Sequence, residues 1–389
     1  MILKLEVTKV LEELAEQRDL DNDSATTERK EDFRIGLDSS IAVLNLPDAM
    51  LCGHGCDGCI AKNSSHENGK AVDRKAVDGK AENGRPDLDK RLSLNEVRKI
   101  IDYFHENYGT RIITINGRGD PFHPLLKWTT SAKIRYASSK ISAETPDSII
   151  PYVFTSGDNL DEATCQELAS NKVNVMISLF GNGFIEADFF SGKKYDSRER
   201  YSEQDAVIAN NLRRLIGAYM KAGVLHKRLE KEEASLAASY TDIATDAETI
   251  TRIGMNYVLS ATDVCNHGKR VEALRKAAND NGLAFICNID FNLFKKKNRR
   301  FLLPALDLLA RKYSDHYPHS LSVDNICRMG ANSTATVDYD GTLFQCPYLK
   351  GEGDGNFFER LNNGTLAGVL NRYIRQSEYA CVLRKTNIC

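Results

Sequence analysis

Predicted strands and helices alternate along most of this 389-residue chain. Six short segments rich in β-branched residues stand between longer segments with helical spacing. The six predicted strands span residues 41–46, 111–116, 149–156, 173–181, 251–260 and 283–291. Because each intervening helix returns the chain to the same edge of the sheet, such strands run parallel. The sequence therefore predicts an α/β fold, a partial (β/α)6 TIM-like barrel whose ligand loops follow the carboxyl ends of the strands.

Three segments depart from this alternation. Residues 1–40 combine an amphipathic helix with a polar arm. Residues 62–90 repeat a Lys-Ala-Val-Asp unit, and residues 225–248 are dominated by charged side chains. Segments with few large apolar residues cannot offset the entropy that they lose on ordering. We therefore expect 62–90 and 225–248 to be exposed insertions in a barrel domain that spans 41–319.

Residues 320–389 have a different pattern. The stretch STATVDYDGTLFQC alternates polar and apolar side chains on both sides of Asp340 and Gly341, which is a strong β-hairpin signal. Cys327 precedes this hairpin and Cys346 ends its second strand. We therefore expect a small C-terminal domain over 320–389, built around the hairpin.

Charge and composition exclude several functions. The chain has 52 Lys and Arg against 54 Asp and Glu, so no charge excess is available to concentrate nucleic acid or an anionic membrane surface. No apolar run approaches the roughly 18 residues of a membrane span. The N-terminal sequence MILKLEVTKVLEELAE also lacks the pattern of a signal peptide. We expect a cytoplasmic protein that binds neither nucleic acid nor a membrane.

The ten cysteines indicate metal or redox chemistry rather than disulfides, because the cytosol keeps thiols reduced. Three of them, Cys52, Cys56 and Cys59, follow directly after the first predicted strand. Three thiolates can bind three irons of an iron–sulfur cluster and leave the fourth iron open. The alternative is a structural zinc ion bound by the same three thiolates and His54.

The spacing Cys52-x3-Cys56-x2-Cys59 after a first barrel strand resembles the fingerprint of the radical S-adenosylmethionine (SAM) superfamily. Three segments at successive strand ends resemble further motifs of that family: INGRGDPFHP at 115–124, FTSG at 154–157 and ISLFG at 177–181. The resemblance implies that the three cysteines hold a 4Fe–4S cluster whose open iron chelates SAM. Reductive cleavage of SAM would then give a 5′-deoxyadenosyl radical, which removes a hydrogen atom from a substrate.

The same resemblance implies which residues contact the cofactor. Asp120 stands in a version of the Gly-Gly-Glu-Pro motif that holds the methionyl amino group, and Arg118 replaces a glycine of that motif. A second departure is Gly58, where the family usually has an aromatic residue. Arg118 and Asp120 are the candidate catalytic residues, and an ion pair at the strand end is an equal alternative for Arg118. The implied cofactor-binding residues are Gly119, Asp120, Pro121, Thr155, Ser156 and Ser178.

The hairpin cysteines resemble a second family motif. The spacing Cys327-x13-Gly341-x4-Cys346 fits the pattern of the auxiliary-cluster domains called SPASM and twitch. The resemblance implies one auxiliary 4Fe–4S cluster, as in the shorter twitch form, with Cys381 and Cys389 completing its ligands. The alternative is one structural zinc ion bound by the same four thiols.

Together these resemblances imply a radical SAM oxidoreductase that takes electrons from reduced flavodoxin or ferredoxin. The expected reaction is a net oxidation of a small metabolite in a biosynthetic pathway, such as an amino-cyclitol or a sugar alcohol. The first alternative is oxidation or cross-linking of a peptide or protein side chain. The segment at 1–40 is too short for a leader-binding module, which favours the small molecule. The non-enzyme alternative is a zinc-stabilised α/β binding protein.

Overall fold

The computed structural model describes residues 41–48, 51, 90–115, 119–140, 149–180, 200–224, 253–289, 301–314, 334–346 and 353–376. The predicted helix and arm at 1–40 and the insertion at 225–248 lie outside these ranges. The insertion at 62–90 also lies outside them, except for Lys90.

The described strands are β1 (Val43–Asn45), β2 (Ile112–Ile115), β3 (Ile150–Thr155), β4 (Asn174–Phe180), β5 (Ile253–Leu259), β6 (Ala284–Ile289), β7 (Thr334–Val337) and β8 (Leu343–Phe344). The described helices are α1 (Leu94–Tyr108), α2 (Lys127–Ser139), α3 (Glu162–Ser170), α4 (Arg200–Lys221), α5 (Ala261–Cys265), α6 (Lys269–Asp280), α7 (Leu303–Tyr313), α8 (Phe357–Asn362) and α9 (Leu366–Gln376).

The eight strands form one sheet in the order β6-β5-β4-β3-β2-β1-β7-β8. Strands β1 to β6 are all parallel, and each pairs with the next along the chain. This order confirms the predicted α/β fold with six parallel strands. Because the strands are parallel, the loops after β1 to β6 all leave the sheet at the same edge.

Local signals explain where α1 begins and ends. Ser93 Oγ accepts a hydrogen bond from the amide of Glu96, and the Glu96 carboxylate accepts one from the amide of Ser93 at 2.7 Å. This is the capping box that the sequence predicts. The helix ends at Gly109, whose φ of 61° lies in the left-handed region that glycine adopts without strain. The buried side of α1 then packs on the sheet through Val97, Ile100 and Phe104.

The predicted hairpin is present, and it belongs to the main sheet. Strand β7 pairs antiparallel with β8 and parallel with β1. Gly341 makes the turn with φ of +87°, and a Cβ there would lie only 2.6 Å from Asn356 Nδ2. One apolar cluster contains residues of β1, α1, β7, β8, α8 and α9. The hairpin and the strands before it therefore share one sheet, and β1 and α1 share an apolar cluster with the hairpin.

The two faces of the sheet differ in character. On the outer face, large apolar side chains of the strands pack against the helices in two clusters. On the inner face, a small cluster contains Val43, Ile112 and Tyr152 and includes no helix residue among the described ones. The rest of the inner face is rich in Asn, Ser and Thr side chains. Within the described ranges, no helix combines the length and the apolar composition that a bilayer span requires.

Candidate functional site

The carboxyl end of β1 leads directly into the predicted cluster loop. The amide of Leu46 donates to the carbonyl oxygen of Thr114 at 2.8 Å, so the chain stays beside β2 after the strand ends. The amide of Asp120 then donates to the carbonyl oxygen of Leu51 at 2.9 Å. Leu51 immediately precedes Cys52, so the start of the cysteine loop adjoins the segment after β2. The predicted ligands Cys52, Cys56 and Cys59, the alternative ligand His54 and the candidate Arg118 lie outside the described residues.

A buried ion pair fixes the segment between β1 and the cysteine loop. Lys133 of α2 places its Nζ 3.1 Å from Asp48 Oδ1, and these side chains are only 8% and 5% exposed. Thr130, one turn earlier on α2, places Oγ1 3.0 Å from Asp48 Oδ2 and 2.6 Å from the carbonyl oxygen of Pro121. Helix α2 therefore holds the chain before Cys52 and the predicted cofactor motif against the same surface.

Asp120 lies at the centre of a hydrogen-bond network between the ends of β2 and β3. Its carboxylate accepts from the amide of Phe122 at 2.8 Å and from the amide of Ser156 at 2.7 Å. It also accepts from the hydroxyl groups of Thr155, at 2.9 Å, and Ser156. The side chain is 3% exposed. The structure thus brings together Asp120, Thr155 and Ser156, which the sequence assigns to one site.

The network also constrains what Asp120 can do. Four protein donors approach its two oxygens, which is close to the full capacity of a carboxylate. An incoming ammonium group could join only if a donor moved away. The Ser156 hydroxyl is the donor best able to move, because Asp158 Oδ1 lies 2.6 Å from Ser156 Oγ and offers it another acceptor. Asp120 therefore joins the ends of β2 and β3.

The other predicted cofactor residues lie around this network. Gly119 directly precedes Asp120 and is partly buried, and Pro121 is buried against Thr130. Ser178 lies one strand further along the sheet, on the inner face of β4, and pairs in register with Asn256 of β5. It is partly buried. These positions place all three residues in the carboxyl-terminal half of the sheet.

Several inner-face residues were not predicted from the sequence. Asn288 of β6 donates a hydrogen bond to Asn256 Oδ1, so these amides form a pair beside Ser178. On β1, Asn45 accepts from the hydroxyl of Thr114 and donates to the carbonyl oxygen of Ala335 at 3.2 Å. The signal in the sequence was the alternation of Asn, Ser or Thr with large apolar residues within the predicted strands.

Cys346 is the described member of the second predicted ligand group. It is 6% exposed and follows β8 by two residues. The hydroxyl of Thr334 donates to the carbonyl oxygen of Gln345 at 3.0 Å, so Cys346 lies near the amino end of β7. Because β7 is parallel to β1, this is the sheet edge opposite the one where β1 ends. Cys327, Cys381 and Cys389 lie outside the described residues, and the described part contains no group of three or more side chains suited to a metal ion.

Cys165 is buried in the outer core. Its exposure is 0%, and burial raises the pKa of its thiol to about 12. A thiol with so high a pKa is almost fully protonated at neutral pH and is a poor metal ligand. Cys165 is therefore a packing residue.

Comparisons with known proteins find similarity only among solved structures. No family model matches the sequence, and no curated protein is similar to it. Native anSMEcpe with bound AdoMet and the Cp18Cys peptide is 13% identical with a TM-score of 0.43, covering 88% of this chain and 85% of that one. Hexahistidine-tagged anSMEcpe with bound AdoMet is 12% identical with a TM-score of 0.45, covering 86% and 80%. Native anSMEcpe with bound AdoMet is 12% identical with a TM-score of 0.44, covering 86% and 83%. Similarity at this level supports no conclusion about function.

Proposed function

We propose that this protein is a radical SAM enzyme. The observation that carries the proposal is the position of Leu51, the residue before Cys52 in the sequence. Leu51 follows the carboxyl end of β1, and its carbonyl oxygen accepts a hydrogen bond from the amide of Asp120 in the predicted cofactor motif. Three thiolates on one short loop suit a 4Fe–4S cluster with one open iron, and such an iron can bind the amino and carboxylate groups of SAM.

The residues present fit this assignment by the chemistry of their donors. Cys52, Cys56 and Cys59 would hold the cluster, and the polar residues around Asp120 would line the SAM site. When bound, the cluster and SAM supply a 5′-deoxyadenosyl radical that removes a hydrogen atom from the substrate. Asp120 can accept a hydrogen bond from the methionyl ammonium if the Ser156 hydroxyl rotates toward Asp158. The backbone amides of Phe122 and Ser156 would keep the carboxylate in place meanwhile.

The second cysteine group supports a substrate site on the inner face of the sheet. Cys346 lies at the sheet edge opposite the cysteine loop, and we assign it with Cys327, Cys381 and Cys389 to one auxiliary 4Fe–4S cluster. A substrate on the inner face would then lie between the two groups. We propose a net oxidation of a small metabolite such as an amino-cyclitol or sugar alcohol, in the cytoplasm, with reduced flavodoxin or ferredoxin as electron donor. Oxidation or cross-linking of a peptide or protein side chain is the second candidate.

Anaerobic reconstitution with iron and sulfide tests the proposal. The reconstituted protein should be brown, hold about eight iron atoms per chain if both sites are filled, and release 5′-deoxyadenosine from SAM in the presence of dithionite. Cys52→Ala should hold about four iron atoms and release no 5′-deoxyadenosine. The matched control is Cys165→Ala, which changes a cysteine buried in the outer core. This variant should hold as much iron as wild type and should release 5′-deoxyadenosine.

The zinc-stabilised binding protein makes the opposite prediction. A colourless protein that holds two zinc ions and leaves SAM intact would refute the proposed enzyme. Retention of one zinc after Cys52→Ala, with loss of the other, would then assign the cysteine loop to a structural zinc site.

A further inference from the structure

The loop after β3 places a second carboxylate beside the hydrogen-bond network of Asp120. Asp158 lies two residues after Ser156, and its Oδ1 is 2.6 Å from Ser156 Oγ. The Ser156 hydroxyl also contacts Asp120 Oδ2. Asp120 is 3% exposed, whereas Ser156 and Asp158 are both partly exposed. One serine hydroxyl therefore bridges a buried carboxylate and a carboxylate that solvent can reach.

The backbone on both sides of Asp158 is held without help from its side chain. Gly157 has a φ of 86°, which lies in the left-handed region that favours glycine, and a Cβ there would lie 3.3 Å from Ile177 Cγ2. Asn211 of α4 donates from Nδ2 to the carbonyl oxygens of Gly157 and Asp158, at 2.9 Å each. A substitution of the Asp158 side chain should therefore leave this loop in place.

The Ser156 hydroxyl has one proton and two carboxylates within reach, so it can donate to only one of them at a time. When the proton points to Asp120, Ser156 is one of the four donors to that carboxylate. When the proton points to Asp158, the lone pairs of Ser156 Oγ face Asp120 instead. Two acceptors then stand side by side, and a group that donates to both of them stabilises this arrangement.

An ammonium group suits this second arrangement. It has three N–H donors and no acceptor, so it can donate to Asp120 Oδ2 and Ser156 Oγ at the same time. A hydroxyl has one proton and can donate to only one of these oxygens. Hydrogen bonds between an ammonium and a carboxylate are also stronger than those between neutral groups. The group that fits beside Asp120 and Ser156 is therefore a cation such as the methionyl ammonium of SAM.

We propose that Asp158 is a positioning residue for SAM. It accepts the Ser156 hydroxyl and thereby changes Ser156 from a donor to Asp120 into an acceptor for the methionyl ammonium. Asp158 acts on SAM only through Ser156. This inference rests on the proposed function, and it adds to the SAM site a residue that the sequence motifs do not include.

The first test measures SAM affinity by equilibrium dialysis of the anaerobically reconstituted full chain. Labelled SAM is used without a reductant, so that it is bound but not cleaved. Asp158→Ala should weaken binding at least about tenfold. Asp158→Asn keeps an oxygen that can accept the Ser156 hydroxyl and should restore most of the affinity. The matched control is Asp161→Asn in the same loop, because its carboxylate contacts Thr164 and Lys127 instead of Ser156. Wild-type affinity in Asp158→Ala overturns the proposal.

The second test asks whether Asp158 acts through Ser156. Ser156→Ala removes the hydroxyl that Asp158 accepts, so adding Asp158→Ala to that variant should weaken SAM binding little further. The double-mutant cycle gives this coupling directly. If Asp158→Ala has the same effect with and without the Ser156 hydroxyl, Asp158 acts on SAM by another route and the proposal is wrong.

Urea denaturation of the cofactor-free chain separates positioning from a structural role. Asp158→Ala should unfold near the wild-type midpoint, because Asn211 holds the loop through backbone oxygens. A lowered midpoint, together with SAM binding that Asp158→Asn does not restore, would instead show a structural role and overturn the proposal. Wild-type protein that binds SAM while Asp158→Ala binds it equally well refutes this inference alone. Wild-type reconstituted protein that binds no SAM refutes the proposed function as well.

Discussion

The buried ion pair between Lys133 and Asp48 holds the end of the segment that follows β1 in place, and Lys133→Met removes it. Methionine keeps the apolar stem but leaves the Asp48 carboxylate, 5% exposed, without its counter-charge. Removing one partner of a buried ion pair costs about 3–5 kcal/mol. Because the Thr130 hydroxyl remains 3.0 Å from Asp48 Oδ2, the lower end of that range applies. We expect the free energy of unfolding to fall by about 3 kcal/mol.

Urea denaturation of wild type and variant measures this loss. The matched control is Lys276→Met, which breaks an exposed pair with Asp280 at 2.8 Å, the two side chains being 76% and 60% exposed. Exposed pairs contribute roughly 0–1 kcal/mol, so the control should stay close to wild type. Equal effects of the two substitutions would refute the reasoning. The double variant Asp48→Asn with Lys133→Met should recover part of the loss, since it leaves no unpaired charge.

Three further predictions concern other parts of the chain. Asp120→Asn should lower the unfolding free energy by about 2–3 kcal/mol in urea, because an amide cannot accept from all four donors; a change below about 0.5 kcal/mol would contradict the network. Hydrogen bonding by Lys127 lowers the pKa of Asp161 to about 2, below its unfolded value of about 3.9. Asp161 therefore stabilises the fold above about pH 4, and this contribution is lost as the pH falls toward 2. Between pH 4 and pH 2, the free energy of unfolding should fall less in Asp161→Asn than in wild type. Identical pH profiles for the two proteins would argue against a lowered pKa of Asp161. Gly254→Ala would place a Cβ 2.6 Å from Met176 Sδ and should cost about 1–3 kcal/mol in thermal or urea unfolding, whereas a neutral effect would mean that Met176 moves freely.

Much of the fold could be predicted because its signals are local. The capping box of Ser93 and Glu96 lies within four residues, and the hairpin turn at Gly341 requires a φ that glycine favours. The six parallel strands follow from the alternation of apolar segments with helices. For the site, the sequence placed Asp120, Thr155 and Ser156 at strand ends, and the structure joins them in one hydrogen-bond network.

Other features depend on contacts that no local pattern encodes. No local pattern predicts that β7 pairs with β1, or that Asn45 donates a hydrogen bond to Ala335 across 290 residues of chain. Nothing in the helical spacing of α2 indicates that Lys133 reaches Asp48, because a lysine on a helix is ordinarily solvated.

The amino-acid sequence by itself determined the class of fold, since strand, helix and turn preferences act over a few residues. Only the tertiary structure decided which strands are neighbours and which carboxylates are buried. Strand register aligns residues from distant parts of the chain, and burial then makes a missing partner costly. Thr336, Asn45 and Thr114 lie side by side for that reason.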